Sequence, residues 1–284
     1  MKFRFLGTAA AEGIPALWCR CERCVRSRTL GGRAVRTRSQ AIVDDTLLID
    51  FPSDTYKHFL DNRLDLTAVT DCIITHSHSD HLYATDLSML APGFSHVQEG
   101  YHLSIFGTDK VGEKVLPAIT APERQNLAHF TEIHPFETFS AGKYTVTALP
   151  SIHDPNAGPV FYMIENPTEK NKNGQPKTIL YAHDTHYFRD DVWEYFSSHK
   201  VHFDLVSLDC TNACLPLTYV GHMGLHENVL VRERMYACGF ADEDTLFFCN
   251  HFSHNGISVV YDDFVLLAAK EGFSVSYDGM IVEF

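Results

Sequence analysis

Apolar residues fall along the chain in short blocks separated by polar punctuation. The blocks KFRFLG (2–7), QAIVDDTLLID (40–50), DCIIT (71–75), LSIFG (103–107), YTVTALP (144–150), VFYMIE (160–165), TILYAHD (178–184), FDLVSLD (203–209) and TLFFCN (245–250) predict strands. Between them, SDTYKHFLDN (53–62) opens on a serine cap and DDVWEYFSSH (190–199) on acidic residues, while HENVLVRERMYACG (226–239) and VVYDDFVLLAAKEG (259–272) close on glycine. These are helix signals. Alternating strands and helices predict an α/β architecture. The polar segment 166–177, with Asn173-Gly174 inside it, reads as an exposed hairpin loop. With no Pro/Gly/Ser-rich linker and no fixed-period repeat, residues 1–284 read as a single domain.

Composition narrows the possibilities. A chain with 45% hydrophobic and 21% charged residues can bury a real core. The excess of 36 acidic over 23 basic residues, −13 in net charge, argues against nucleic acid as a partner and for a small molecule; a homodimer is allowed. The amino terminus shows no secretion signal and no apolar run is long enough to span a bilayer, so the expectation is a cytoplasmic protein with no membrane contact. An arginine-rich stretch at 20–38 is either a set of solvated or paired charges or an anion site. Of eight cysteines, Cys72, Cys210, Cys214, Cys238 and Cys249 read as small core residues.

The remaining three, Cys19, Cys21 and Cys24, are spaced to reach one metal ion but leave a tetrahedral zinc one ligand short. A second cluster follows the strand DCIIT: HSHSDH, containing His76, His78, Asp80 and His81. Strand ends are where open α/β sheets place their chemistry. Alternate residues of extended chain point the same way, so His76 and His78 can hold one ion while Asp80 and His81 turn to another. His153, Asp184 and His251 each follow a later strand. Singly, such residues are more often caps than ligands. Together they supply three nitrogens for one ion, two nitrogens and Asp80 for a second, and Asp184 to be shared.

This order of motifs resembles the metallo-β-lactamase superfamily, which implies an αββα sandwich. The resemblance implies His76, His78 and His153 on one metal, Asp80, His81 and His251 on the other, and Asp184 as the bridge. GTAAAEGIPALWCRCERC (7–24) is similar to the amino-terminal signature of the PhnP phosphodiesterases, whose three cysteines and a later histidine hold a structural zinc. Its implied fourth ligand here is His254, in HFSH, stapling the loop at 19–24 to the chain 230 residues on. GHMGLHEN (221–228) resembles the segment carrying a leaving-group histidine, placing His222 there, and YDGMIVEF resembles the final strand of that group. The alanines at 9–11 depart from the pattern and bear on the pocket rather than on the metals.

The implied activity is hydrolysis of a small phosphodiester, cyclic by resemblance, with two divalent ions, Mn²⁺ or Zn²⁺, besides the structural Zn²⁺. Asp80 would orient the attacking water, and His222 would assist the leaving group. Three alternatives remain: a metal-binding accessory protein like the PqqB group, a tRNA 3′-processing endonuclease, and a lactonase or thioesterase.

Overall fold

The computed structural model describes residues 1–122, 124, 126–215, 220–255 and 259–284. The first half of the chain runs β1 (Lys2–Gly7), α1 (Glu22–Leu30), β2 (Gln40–Val43), β3 (Leu47–Ile49), α2 (Thr55–Asn62), β4 (Asp71–Ile73), β5 (Leu103–Gly107), α3 (Asp109–Ile119) and β6 (Ala128–Glu132). The second runs β7 (Thr138–Ala141), β8 (Tyr144–Pro150), β9 (Val160–Lys170), β10 (Pro176–Ala182), α4 (Asp190–His199), β11 (Leu205–Asp209), α5 (Leu225–Cys238), β12 (Leu246–Asn250), α6 (Tyr261–Lys270) and β13 (Ser274–Val275). A last strand, β14 (Ile281–Glu283), returns to pair with β1.

Two seven-stranded sheets result, ordered β14-β1-β2-β3-β4-β5-β6 and β13-β12-β11-β10-β9-β8-β7. Each is mixed: β3 to β6 and β10 to β13 are parallel, the others antiparallel. The period-two alternation of strands sorts side chains into layers. Phe3, Phe5, Val146, Tyr162, Tyr181 and their neighbours fill the space between the sheets. The opposite faces, with Ile42, Leu48 and Ile105 on one sheet and Phe161, Leu180 and Leu208 on the other, pack against α3 and against α4, α5 and α6. This is the αββα sandwich that the motif order implied. No helix among the described residues is long and apolar enough to cross a membrane.

Several local expectations are corrected. The block 40–50 is a hairpin rather than one strand, turning at Asp44 and Asp45, whose φ angles of 46° and 58° are left-handed. Aspartate tolerates that region better than most residues. Asp44 is further held by the Lys2 N–H at 2.7 Å and Lys143 at 2.8 Å. The loop expected over 166–177 is mostly strand: β9 reaches Lys170, β10 starts at Pro176, and Asn171 Oδ1 closes the turn by accepting from the N–H of Asn173 and Gln175. Helix α2 starts at Thr55, so Asp54 rather than Ser53 occupies its cap. Cys72, Cys210 and Cys249 are buried and Cys214 is half-buried, but Cys238, on the last turn of α5, is exposed.

The arginine-rich stretch is a set of braces. Arg36 donates to Thr8 Oγ1 at 2.7 Å and to the Ser276 carbonyl at 2.8 Å and lies over the Phe252 ring. Arg23 reaches the Ser253 carbonyl, Arg26 pairs with Asp263 at 2.8 Å, and Arg38 pairs with Asp54 at 3.1 Å. These contacts tie the amino-terminal loop to α2, to α6 and to the loop after β12.

Candidate metal centres

Every expected ligand of the catalytic centre follows a strand end on one edge of the sandwich. His76, His78, Asp80 and His81 follow β4, His153 follows β8, Asp184 follows β10 and His251 follows β12. Three residues at these ends, Asp50 after β3, Asp184 and His251, have positive φ of 66°, 50° and 60°. Such backbone costs on the order of 1–3 kcal/mol where the residue is not glycine, and it collects at sites whose geometry is over-determined. Here it turns each side chain off its strand direction into the shared space.

The structure brings the expected residues together in two histidine groups. In the first, His78 Nδ1 lies 3.0 Å from His76 Nε2 and 3.3 Å from His153 Nε2. In the second, His81 Nε2 lies 3.3 Å from both His251 Nε2 and Asp80 Oδ2. Asp184 stands between them: Oδ1 faces His153 Nε2 at 3.5 Å, and Oδ2 lies 2.8 Å from His81 Nε2 and 3.0 Å from His251 Nε2.

These separations fit metal ions. A tetrahedral centre with metal–nitrogen bonds of about 2.0–2.1 Å has ligand–ligand edges of about 3.3–3.4 Å. With Nδ1 placed to donate to Asp50 Oδ2 at 2.7 Å, the neutral ring of His81 would offer Nε2 as its ligand atom beside the Asp184 carboxylate. Asp184 Oδ2 is enclosed, yet accepts no well-aligned hydrogen bond among the described residues. Lone pairs aimed at one another in a buried space call for a cation. Electrostatics agree: burial opposes charging His251, but Asp184 and Asp209 outweigh it and push it up to about 10. Burial likewise opposes ionising Asp184, but His251 and His81 hold it well below the usual carboxylate range.

The cysteine cluster passes the same test. Cys19 Sγ and Cys21 Sγ lie 3.4 and 3.6 Å from His254 Nδ1, and Cys24 Sγ joins them within 4.8 Å. With bonds of about 2.3 Å to sulfur and 2.0–2.1 Å to nitrogen, a zinc tetrahedron has S–N edges of about 3.6 Å. Backbone N–H groups of Cys21, Cys24 and Ala16 donate to the sulfurs of Cys19, Cys21 and Cys24 at 3.3–3.4 Å, as thiolates require. Burial works against ionising Cys21, but hydrogen bonds led by His254 bring it down to about 6, whereas burial pushes Cys24 up to about 11.

His222 Nδ1 lies 3.0 Å from Asp209 Oδ2, and its ring centroid is 5.0 Å from that of His153. Asp209 is fixed in turn by the backbone N–H groups of Asp184, Thr211 and Met223 at 2.9–3.1 Å. Burial opposes the charged imidazolium of His222, but Asp209 outweighs it and raises the group above its ordinary value.

The sequence reading missed the residues behind the ligands. Asp50 also accepts from the Thr75 N–H at 2.8 Å, Asp154 faces His78 Nε2 at 3.3 Å, and Thr211 Oγ1 lies 2.9 Å from His251 Nδ1. A signal for two of them existed: Asp50 and Asp209 each end a buried strand run, LLID and VSLD, as Asp184 nearly does. His78, Asp80, His153, Asp184, His222 and His251 open onto one cavity of ≈420 Å³.

Comparison with known proteins agrees with this geometry. A sequence model of the beta-lactamase superfamily domain matches residues 47–238. No curated protein matches the chain. Among solved structures, a diphosphatase from the PhnP family is similar over 100% of this chain and 98% of its own, at 18% identity and a TM-score of 0.73. Zn²⁺-bound PqqB from Methylobacterium extorquens is similar over 100% of both chains, at 17% identity and 0.67. The short form of human tRNase Z is similar over 100% of this chain and 99% of its own, at 16% identity and 0.65. At these identities the likeness is one of fold.

Proposed function

The chain belongs to the metallo-β-lactamase superfamily, and from that premise we propose that it is a phosphodiesterase acting on a small, cyclic phosphodiester with two divalent ions in its histidine–carboxylate centre. The coarser statement, a metal-dependent hydrolase of this fold, follows from family and architecture. His76, His78 and His153 would hold one ion, Asp80, His81 and His251 the other, and Asp184 both; Cys19, Cys21, Cys24 and His254 would hold a structural Zn²⁺. When bound, a pair of divalent ions polarises a phosphoryl oxygen and acidifies a water near neutral pH.

The chain's own contribution is orientation and proton handling. Asp80 keeps one carboxylate oxygen for its ligand role and offers the other to the attacking water as an acceptor. Asp209 Oδ2 accepts a hydrogen bond from His222 Nδ1–H and stabilises the imidazolium, whose Nε2–H is then the proton given to the departing oxygen. Asp50 and Asp154 fix the rings of His81 and His78 in the same way. The observation that carries the reading is His222, backed by the buried Asp209, on the wall of the cavity that also exposes Asp184. An alkoxide leaving group needs such a proton donor. The likeness to a PhnP-family diphosphatase supports phosphorus rather than an acyl carbon as the target.

The test is hydrolysis of bis(p-nitrophenyl) phosphate by protein stripped of metal and resupplied with Mn²⁺ or Zn²⁺, beside a lactone and a thioester. Metal-restored cleavage of the diester alone supports the proposal. Activity confined to an acyl substrate overturns it while leaving fold and ligands in place.

A further inference from the structure

Glu12 lies in the amino-terminal loop and lines the same cavity as Asp80, His153 and His222. One of its carboxylate oxygens, Oε1, is held from the loop after β12 by Ser253 Oγ, by Asn255 Nδ2 at 3.3 Å and by His254 Nε2 at 3.6 Å. All three contacts converge on that one atom. Oε2 takes no hydrogen bond among the described residues. A carboxylate can only accept, so the cavity wall presents one open acceptor on a fixed arm.

The charge around it is one-sided. No Lys or Arg lines the cavity among the described residues, and residues 216–219 and 256–258 contain none in sequence. Four carboxylates buried beside the metal ligands or among them, Asp50, Asp80, Asp184 and Asp209, would already offset two divalent ions. One phosphoryl charge can be received at the ions. A second would meet Glu12 with no Lys or Arg on the described wall to receive it. Other polar groups on the cavity wall, Asn212, Ser253 and Asn255, suit hydroxyls.

We propose that Glu12 is a specificity-determining residue whose Oε2 accepts a hydroxyl of the substrate's organic group and whose charge excludes a second phosphate. This rests on the phosphodiesterase reading above. It gives the substrate a class: a diester with a single phosphoryl charge and a hydroxyl-bearing, sugar-like organic part.

The experiment compares p-nitrophenyl thymidine 5′-phosphate, which keeps a 3′-hydroxyl, with the same compound carrying a 3′-phosphate. The protein should prefer the hydroxyl form in kcat/KM by about tenfold or more, the scale of one unit charge pair near a protein surface. Glu12→Gln should shrink that preference about tenfold, mainly through KM, since glutamine keeps an acceptor but loses the charge. Zinc content, measured alongside, should stay unchanged in the variant. Equal cleavage of both compounds by the unaltered protein overturns this inference and leaves the phosphodiesterase reading standing. So does a preference that Glu12→Gln does not move. Cleavage of neither compound by protein that does cleave bis(p-nitrophenyl) phosphate overturns this inference alone, and cleavage of none of the three by fully metallated protein overturns both readings. Should Glu12→Gln fail to fold, Glu12→Ala is read in its place, with the same loss of preference expected and an unmoved preference overturning the inference.

Discussion

His76, His81, Asp184 and His251 are at most 4% exposed, whereas Cys21 is exposed and Cys19 and His254 are half-buried. The two clusters each gather side chains able to hold a metal ion and differ in what stands behind them. In the histidine–carboxylate centre, side chains do the work: Asp50, Asp154, Thr75 and Thr211 each face the far nitrogen of a ligand ring. In the cysteine cluster, backbone N–H groups bond the sulfurs, and neighbouring arginines brace the loop. One arrangement is braced by side chains and leaves a face open toward a cavity. The other ties distant chain segments together and closes.

The sharpest way to break that contrast is at the bridge. Asp184→Ala should empty the centre of metal and lower turnover by on the order of 10⁴-fold, while the zinc at the cysteines stays. Metal analysis showing both ions retained would remove the bridging role. Next, His222→Ala should lower diester turnover by about 10³-fold with full metal content. An unchanged rate would take His222 out of the mechanism. Asp50→Asn should weaken metal binding at the second histidine group by about 10- to 100-fold in a chelator competition, without unfolding the chain. Cys24→Ser tests the other cluster. Loss of its zinc should lower Tm by about 10 °C and turnover by less than about tenfold. Complete inactivity of folded Cys24→Ser protein would show that the two clusters cannot be separated.

The smallest effect lies outside both. Burial pushes His58 down to about 4 from an ordinary 6.5, with Gln40 and Thr37 at 2.6 Å on its two nitrogens. A histidine depressed in the folded state contributes stability that is full above the unfolded value and is lost as pH falls toward 4. Metal-free protein should therefore lose up to about 3 kcal/mol over that window from this group, and less in His58→Gln. Parallel acid melting curves for the two proteins would remove His58 as the cause.

Legibility followed chemistry more closely than shape. HSHSDH and CRCERC are dense enough to be read directly, and His153, Asp184 and His251 could be placed because each follows an apolar block. Asp50 and Asp209 were passed over because a lone acid closing a strand looks like ordinary punctuation; only the fold brings their carboxylates under His81 and His222. In the fold, β6 and β7 escaped because sequences such as AHFTE carry too few apolar positions to alternate. Helix α1 escaped because its ERCVRSRTL is held by capping at Cys21 and by arginine contacts rather than by an apolar stripe. The hairpin at Asp44 and Asp45 was hidden by reading through two acidic residues that mark the turn.

The cysteine cluster also sets an order in time. Cys19 leaves the ribosome 235 residues before His254, a gap on the order of tens of seconds at about 5–20 residues per second. Throughout that interval the three thiols lack His254, the imidazole they face in the folded chain. Were the four residues to hold the proposed zinc, closing its tetrahedron would report that translation has passed β12, and a chain stopped before residue 254 would carry an open thiol site.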